Sequence, residues 1–267
     1  MNILLIIIIL IILIFLLTLI KNKSKFGDDN TILLSNNNNS NNNNNNNNSN
    51  NNSNIPKKLL QTYHTPKKIP GYITDLRNKY ASDYSYSLYD DNEGLVFLQK
   101  YYTERVINKY STLSGAHKAD LLRYCLIYIY GGVYMDIKTM LTRPLNEVID
   151  HSVKNRHKLI TAKSAVNGTI YQGFLASTKN NPLFLKVIEK VLDTPIISLK
   201  IDYHLFTRQF YEIVQEFKDK QDITLFTEDC SGNGDTSKKR DRYGLYCILK
   251  NEKDETLLDV RDPAYPW

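Results

Sequence analysis

The chain has no Gly-x-Gly-x-x-Gly loop between a strand and a helix. It has no phosphate loop ending in Gly-Lys-Ser/Thr, no His-Glu-x-x-His and no Gly-x-Ser-x-Gly. These absences exclude the usual dinucleotide fold, the P-loop nucleotidases, the common zinc peptidases and the serine hydrolase elbow. The one glycine pair, Gly131-Gly132, follows a helical run and precedes a strand-like one, the reverse of the dinucleotide order. Cysteine is scarce. Cys125, Cys230 and Cys247 form no Cys-x-x-Cys and no Cys/His cluster, so no zinc site is expected. Cys125 sits in an apolar helical run and reads as a core thiol. Cys230 and Cys247 pair if the domain lies in an oxidising lumen. No arginine-rich run occurs either, and the formal charge of +6 is spread along the chain. A mild, scattered positive charge suits a small phosphate-bearing ligand better than a nucleic-acid track, and no nucleic-acid partner is expected.

What is present divides the chain in three. Residues 3–20 carry no charge, and Thr18 is their only polar residue. Eighteen such residues are about enough to cross a bilayer core of roughly 30 Å. A buried helix would normally keep a polar face. A cleaved signal would want a basic start, a shorter apolar core and a small-residue cleavage site. Residues 1–21 are therefore expected to be a membrane anchor. Lys21, Lys23 and Lys25 follow it, which by the positive-inside rule favours a cytosolic domain. Residues 36–54 hold 16 Asn and 3 Ser. Such a tract has nothing to bury, so 22–54 reads as a disordered stalk. Residues 55–267 suit one α/β domain. Tyrosine outnumbers phenylalanine by 19 to 9. Its flat face and hydroxyl suit sugar or base stacking, although most of these rings fill half-buried strand positions.

Within the domain, Lys58–Tyr63 reads as a strand stopped by Thr65-Pro66. Helical patterns follow at 72–80 and 92–102, with a strand over 84–91 between them. A four-turn helix is expected from Ser114, as N-cap, to Gly131, as stop. Val133–Asp136 is the next strand. Further strands are expected near 158–163, 170–176, 223–228, 243–250 and 256–260, and helices near 182–193 and 203–217. This order predicts a parallel sheet with right-handed crossovers. Ligands would then bind at the C-terminal strand ends, where Gln61-Thr62-Tyr63, Asp90-Asp91 and Asp136 stand.

Asp120 and Arg123, at i and i+3, share a helix face in an otherwise apolar run. Such charges must pair with each other or face a polar cavity. The helix leads through Gly131-Gly132 straight to Asp136. A carboxylate and a guanidinium near a strand-end acid make a good sugar clamp.

The stretch KADLLRYCLIYIYGGVYMDIKT resembles the sugar-binding region of glycosyltransferase family 32, whose pattern is A-x-x-x-D-x-x-R followed by Y-G-G-x-Y-x-D-x-D. IPKKLLQTY, SLYDD and YQGFLASTKNNPLFLKVIE extend the likeness over roughly 55–195, and DVRDPAYPW is similar to a C-terminal piece of some members. The resemblance implies a GT-A fold, Rossmann-like and nucleotide-sugar-binding. It also implies a hexose moved from a UDP- or GDP-linked donor, with retention, to a glycan, glycolipid or glycoprotein. It places Gln61, Thr62 and Tyr63 beside the nucleotide, Asp120 and Arg123 on the donor hexose, Gly132 and Tyr134 in the binding segment, and Asp136 on ribose, sugar or metal. Lys138 stands where the family has its second acid, the expected Mn²⁺ or Mg²⁺ ligand. Three readings stay open. Lys138 does the cation's work on the diphosphate; or a cation binds through Asp136 with Asp259 or Asp262; or the fold binds sugars without turnover. The rival class is accordingly a non-catalytic carbohydrate-binding or scaffold protein, and a methyltransferase-type domain lacks its glycine-rich loop. Family members work in the secretory lumen, against the lysine signal. On family grounds a single-pass protein with a lumenal domain is expected, and Asn167-Gly168-Thr169 is a glycosylation sequon.

Overall fold

The computed structural model describes residue 34 and residues 54–66, 69–149, 157–219, 222–230 and 247–260. The expected anchor, Asp262 and all of the Asn tract but Asn54 lie outside the described residues. Among those described, no helix is long and apolar enough to cross a membrane. Leu34, within the expected stalk, makes an isolated antiparallel bridge with Tyr102 and packs on the core.

The first half runs β1 (Lys58–Thr62), α1 (Gly71–Tyr80), β2 (Ser85–Tyr89), α2 (Asp91–Tyr101), α3 (Glu104–Thr112), α4 (Gly115–Tyr130) and β3 (Gly132–Met135). Then follow β4 (Met140–Leu141), α5 (Leu145–Val148), β5 (Lys158–Lys163), β6 (Ile170–Ser177), α6 (Pro182–Asp193), α7 (Ile196–Ile201) and α8 (Leu205–Phe217). The last strands are β7 (Asp222–Asp229), β8 (Ile248–Lys250) and β9 (Thr256–Asp259). They form one sheet in the order β2-β1-β3-β6-β5-β7-β8-β9-β4.

β1 pairs in parallel with both β2 and β3, as the sequence predicts. The sheet as a whole is mixed, which corrects the expectation of a parallel one. β5 and β6 are joined by only six residues, too few for a crossover, so they pair antiparallel. β6 therefore runs against β3 as well.

Strand alternation sorts the side chains into two layers. Leu60 and Tyr134 join the core built with α2, α3, α4, α6 and α8. Leu59, Val133 and Met135 join a second core on the other face, with Leu141, Leu145, Val148, Leu257 and Leu258.

α4 is the central helix. It has no interior Gly or Pro, and Asp120 through Tyr128 are all buried. It ends at Gly131, whose φ is +62°, and Gly132 follows at +92°. A Cβ on Gly132 would lie 2.5 Å from the Lys58 carbonyl oxygen, and one on Gly131 would lie 2.7 Å from the Lys179 nitrogen. Two glycines let the chain leave the helix and enter the sheet within one step. The pair thus serves backbone packing, and Gly132, expected in the binding segment, is not among the cleft residues.

Candidate functional site

β1, β2 and β3 are parallel, so their C-terminal ends lie on one edge of the sheet. α4 starts at that edge. Between them opens a cleft of about 630 Å³. Thr62, Tyr63 and His64 line it after β1, with Tyr89 and Asp91 after β2, and Tyr134, Asp136, Ile137 and Lys138 after β3. Tyr110 of α3 and Gly115, Ala116, Lys118, Ala119, Leu122 and Arg123 of α4 form the facing wall. The small residues of the first α4 turns make the room. The start of a sixteen-residue helix also brings backbone N–H groups and about half a positive charge to the cleft.

Side-chain hydrogen bonds tie the strand ends together. Thr62 Oγ1 and the Tyr134 hydroxyl lie 2.8 Å apart, and that hydroxyl donates to Asp136 Oδ1 at 3.0 Å. Arg123 reaches the same oxygen with Nη1 at 3.1 Å. It also donates from Nη1 to the Gln172 carbonyl and from Nε to the Ala119 carbonyl. Its Nη2 lies 3.3 Å from Asp120 Oδ1. Its guanidinium stands 4.6 Å over the Tyr134 ring. One buried cation therefore joins α4, β3 and β6.

Asp136 opens a β-turn, since the Thr139 N–H donates to its carbonyl at 2.9 Å. Lys138 is the third residue of that turn. Its Nζ lies 4.0 Å from Asp136 Oδ2, and its side chain is 27% exposed in the cleft. Burial pushes the Asp136 carboxyl up, but Arg123, Lys138 and the Tyr134 hydroxyl outweigh it and hold it below its ordinary range. Burial pushes the Asp120 carboxyl above its ordinary range, with Arg123 only partly opposing. On the facing wall, Lys118 pairs with Asp91 at 2.8 Å and lies over the Tyr110 ring.

Of the expected site residues, the cleft brings together Thr62, Tyr63, Arg123, Tyr134, Asp136 and Lys138. Gln61 is 4% exposed, faces the opposite side of the sheet and accepts from the Tyr86 hydroxyl. It lines a small separate hollow with Ile73 and Arg77. β1 cannot present Gln61 and Thr62 to one face, so Gln61 is removed from the cleft. Asp120 is buried beside Arg123 and does not line the cleft, so the pairing of the two within the helix is real. Asp90 is a helix cap. It accepts from the N–H groups of Asn92 and Glu93, and Glu93 returns a bond to its backbone. Among the polar and aromatic cleft residues, His64, Tyr89, Tyr110 and Lys118 were not anticipated. Tyr89 and Lys118 lie inside SLYDD and KADLLRY. Tyr110 belongs to α3, which was not foreseen.

Among the described residues, the donor set does not fit a divalent cation. Asp136 is the one acid of the β3 end, and its Oδ1 already accepts from Arg123 and Tyr134 while a lysine flanks Oδ2. The other described carboxylate of the cleft, Asp91, is held by Lys118. Asp259 sits in β9 opposite Met140 and does not line the cleft. Among the described residues, the group of His, Cys or acid side chains close enough to share an ion is Glu228, Cys230 and Cys247. The two cysteines are joined in a disulfide, so they offer no thiolate.

Residues 66–154 match the family described as "Glycosyltransferase sugar-binding region containing DXD motif". The "Initiation-specific alpha-1,6-mannosyltransferase" of Saccharomyces cerevisiae is 33% identical over 102 residues, which cover 34% of this chain and 21% of that protein. The "Inositol phosphoceramide mannosyltransferase 3" of Schizosaccharomyces pombe is 27% identical over 140 residues, 51% of this chain and 37% of that one. The solved structure "PaToxG Glycosyltransferase" aligns with a TM-score of 0.42 and 15% identity, over 62% of this chain and 70% of that chain. The match spans less than half the length of each of these two curated relatives. The segment that carries Arg123, Tyr134, Asp136 and Lys138 thus matches the sugar-binding region of DXD-type glycosyltransferases, with Lys138 where that motif has its second acid.

Proposed function

We propose that this chain is a glycosyltransferase of GT-A type, anchored through residues 3–20, that moves a hexose from a nucleotide sugar to a glycan or glycoconjugate. The observation that carries the reading is the position of Asp136. It stands at the C-terminal end of β3, in a cleft of the size that small ligands occupy, fixed by Arg123 and Tyr134. The rings of Tyr63, His64 and Tyr89 line the β1–β2 side, where a nucleobase would stack. Asp136 would then take sugar or ribose hydroxyls, and the mouth would admit the acceptor.

Retention fits this cleft without a covalent enzyme intermediate. Such an intermediate needs an activated carboxylate nucleophile. Asp91 and Asp136 are both held by cations. The departing phosphate would itself take the acceptor proton.

The test is a screen of UDP- and GDP-sugars for donor hydrolysis and transfer, with and without Mn²⁺. Mannose comes first, because the two curated relatives named above are mannosyltransferases. Consumption of one donor is the expected result. A protein that binds glycans and consumes none of the donors would be a carbohydrate-binding scaffold instead.

The lumenal orientation draws support from the disulfide between Cys230 and Cys247. Such bonds persist in oxidising compartments and are rare in the cytosol. The expressed full chain should shift in size on endoglycosidase treatment. An unshifted band with alkylatable Cys230 and Cys247 would place the domain in the cytosol.

A further inference from the structure

We propose that this cleft binds the donor diphosphate without a divalent cation, and that the Lys138 ammonium takes the cation's place. The inference rests on the glycosyltransferase reading and deepens it.

A metal between a strand-end acid and a diphosphate needs carboxylate oxygens turned towards it. Here Asp136 Oδ1 is taken by two donors, and Oδ2 looks onto Lys138 Nζ at 4.0 Å. An ion added to Oδ2 would stand between a guanidinium and an ammonium, and both repel it. The position that holds an acid in the family motif, which would offset this repulsion, holds Lys138 here. The turn at 136–139 places that side chain next to Asp136.

The same features favour a diphosphate. Lys138 is a point charge on a flexible stem, suited to binding phosphate oxygens. It lines the cleft and lies 4.0 Å from its acid, a longer pairing than the 2.8 Å of Lys118 and Asp91. The first turn of α4 faces the cleft through Gly115 and Ala116, and adds N–H donors and about half a positive charge. Lysine and helix together supply most of the charge that a divalent ion would bring.

The transfer step balances without metal or added base. The bond between the sugar C1 and the diphosphate oxygen breaks, and its electron pair stays on the diphosphate. A bond forms between C1 and the acceptor oxygen. The acceptor proton passes to the departing phosphate oxygen. Lys138 keeps its protons throughout and acts by charge alone.

The experiment is calorimetric titration of the full chain in detergent with UDP and GDP, and with uridine and guanosine. Each titration is run in EDTA and again in Mn²⁺. One nucleoside diphosphate should bind equally in both conditions, within about twofold. Lys138→Met should weaken that diphosphate at least tenfold and leave the matching nucleoside within about twofold. Lys138→Asp should bind weakly in EDTA and regain affinity in Mn²⁺. Wild-type binding that vanishes in EDTA and returns with Mn²⁺ would overturn the cation-free site and leave the glycosyltransferase reading standing. It would also reveal an acid outside the described residues. Undiminished diphosphate binding by Lys138→Met would overturn the role of the lysine. No binding of either diphosphate under any condition would overturn both readings.

Discussion

Asp136→Ala should lower sugar transfer by about 10³-fold while the protein stays folded, as expected for a lost group that acts on the transition state. The carboxylate is 22% exposed and lies in the cleft, so its removal opens no cavity in the core. Arg123 would keep Asp120 and the Gln172 and Ala119 carbonyls. The fold should therefore lose little, which a thermal melt will show. Transfer should fall because three things leave together: the acceptor for sugar hydroxyls, the partner of the Tyr134 hydroxyl and the anchor of Lys138. Asp136→Asn keeps the shape and loses the charge. It should also be strongly impaired, because Arg123 and Lys138 would no longer be drawn to one point. Near-normal transfer by Asp136→Ala would remove Asp136 from the site.

The strand ends were legible because each strand stops at a marked residue. Thr65-Pro66 follows β1, the acids of SLYDD follow β2, and Asp136 follows β3. Facing was legible too, but only with the two-residue period applied strictly. Gln61 was grouped with Thr62 and Tyr63 as one polar stretch, and a strand must turn Gln61 away from Thr62. The same alternation puts Thr62, Tyr134 and Asp136 on one face, where they share hydrogen bonds. Gly132 shows a different failure. A motif glycine reads as a ligand contact, but its positive φ and the Lys58 carbonyl give it a steric task. α3 was not legible, since only Val106 and Tyr110 of its nine residues are buried. The direction of β6 was legible from link length but was passed over. The strands expected at 158–163 and 170–176 leave only six residues between them, too few for a parallel crossover.

Arg123→Met should be the most destabilising single change at this site. The guanidinium is 5% exposed and serves four oxygens on three elements. Breaking a buried ion pair by removing one partner costs about 3–5 kcal/mol, because the other charge stays buried. At roughly 2–4 °C per kcal/mol for a domain of this size, the melting temperature should fall by roughly 10 °C. Arg123→Lys should lie between, since one ammonium cannot reach both carboxylates and both carbonyls. The pH dependence separates lost charge pairing from lost packing. Burial already raises the Asp120 carboxyl above its ordinary range, and Arg123 opposes that rise. Without the guanidinium the folded state favours the protonated acid more strongly. A raised folded pKa gives stability that is present at low pH and lost as the pH rises through it. The deficit of Arg123→Met against wild type should thus be largest at neutral pH. It should narrow as the pH falls towards about 4, the ordinary carboxylate range. Asp120→Asn combined with Arg123→Met should recover part of the loss at neutral pH, because the buried charge is gone. A deficit that is constant with pH, and that Asp120→Asn does not relieve, would mean that the side chain acts by filling space.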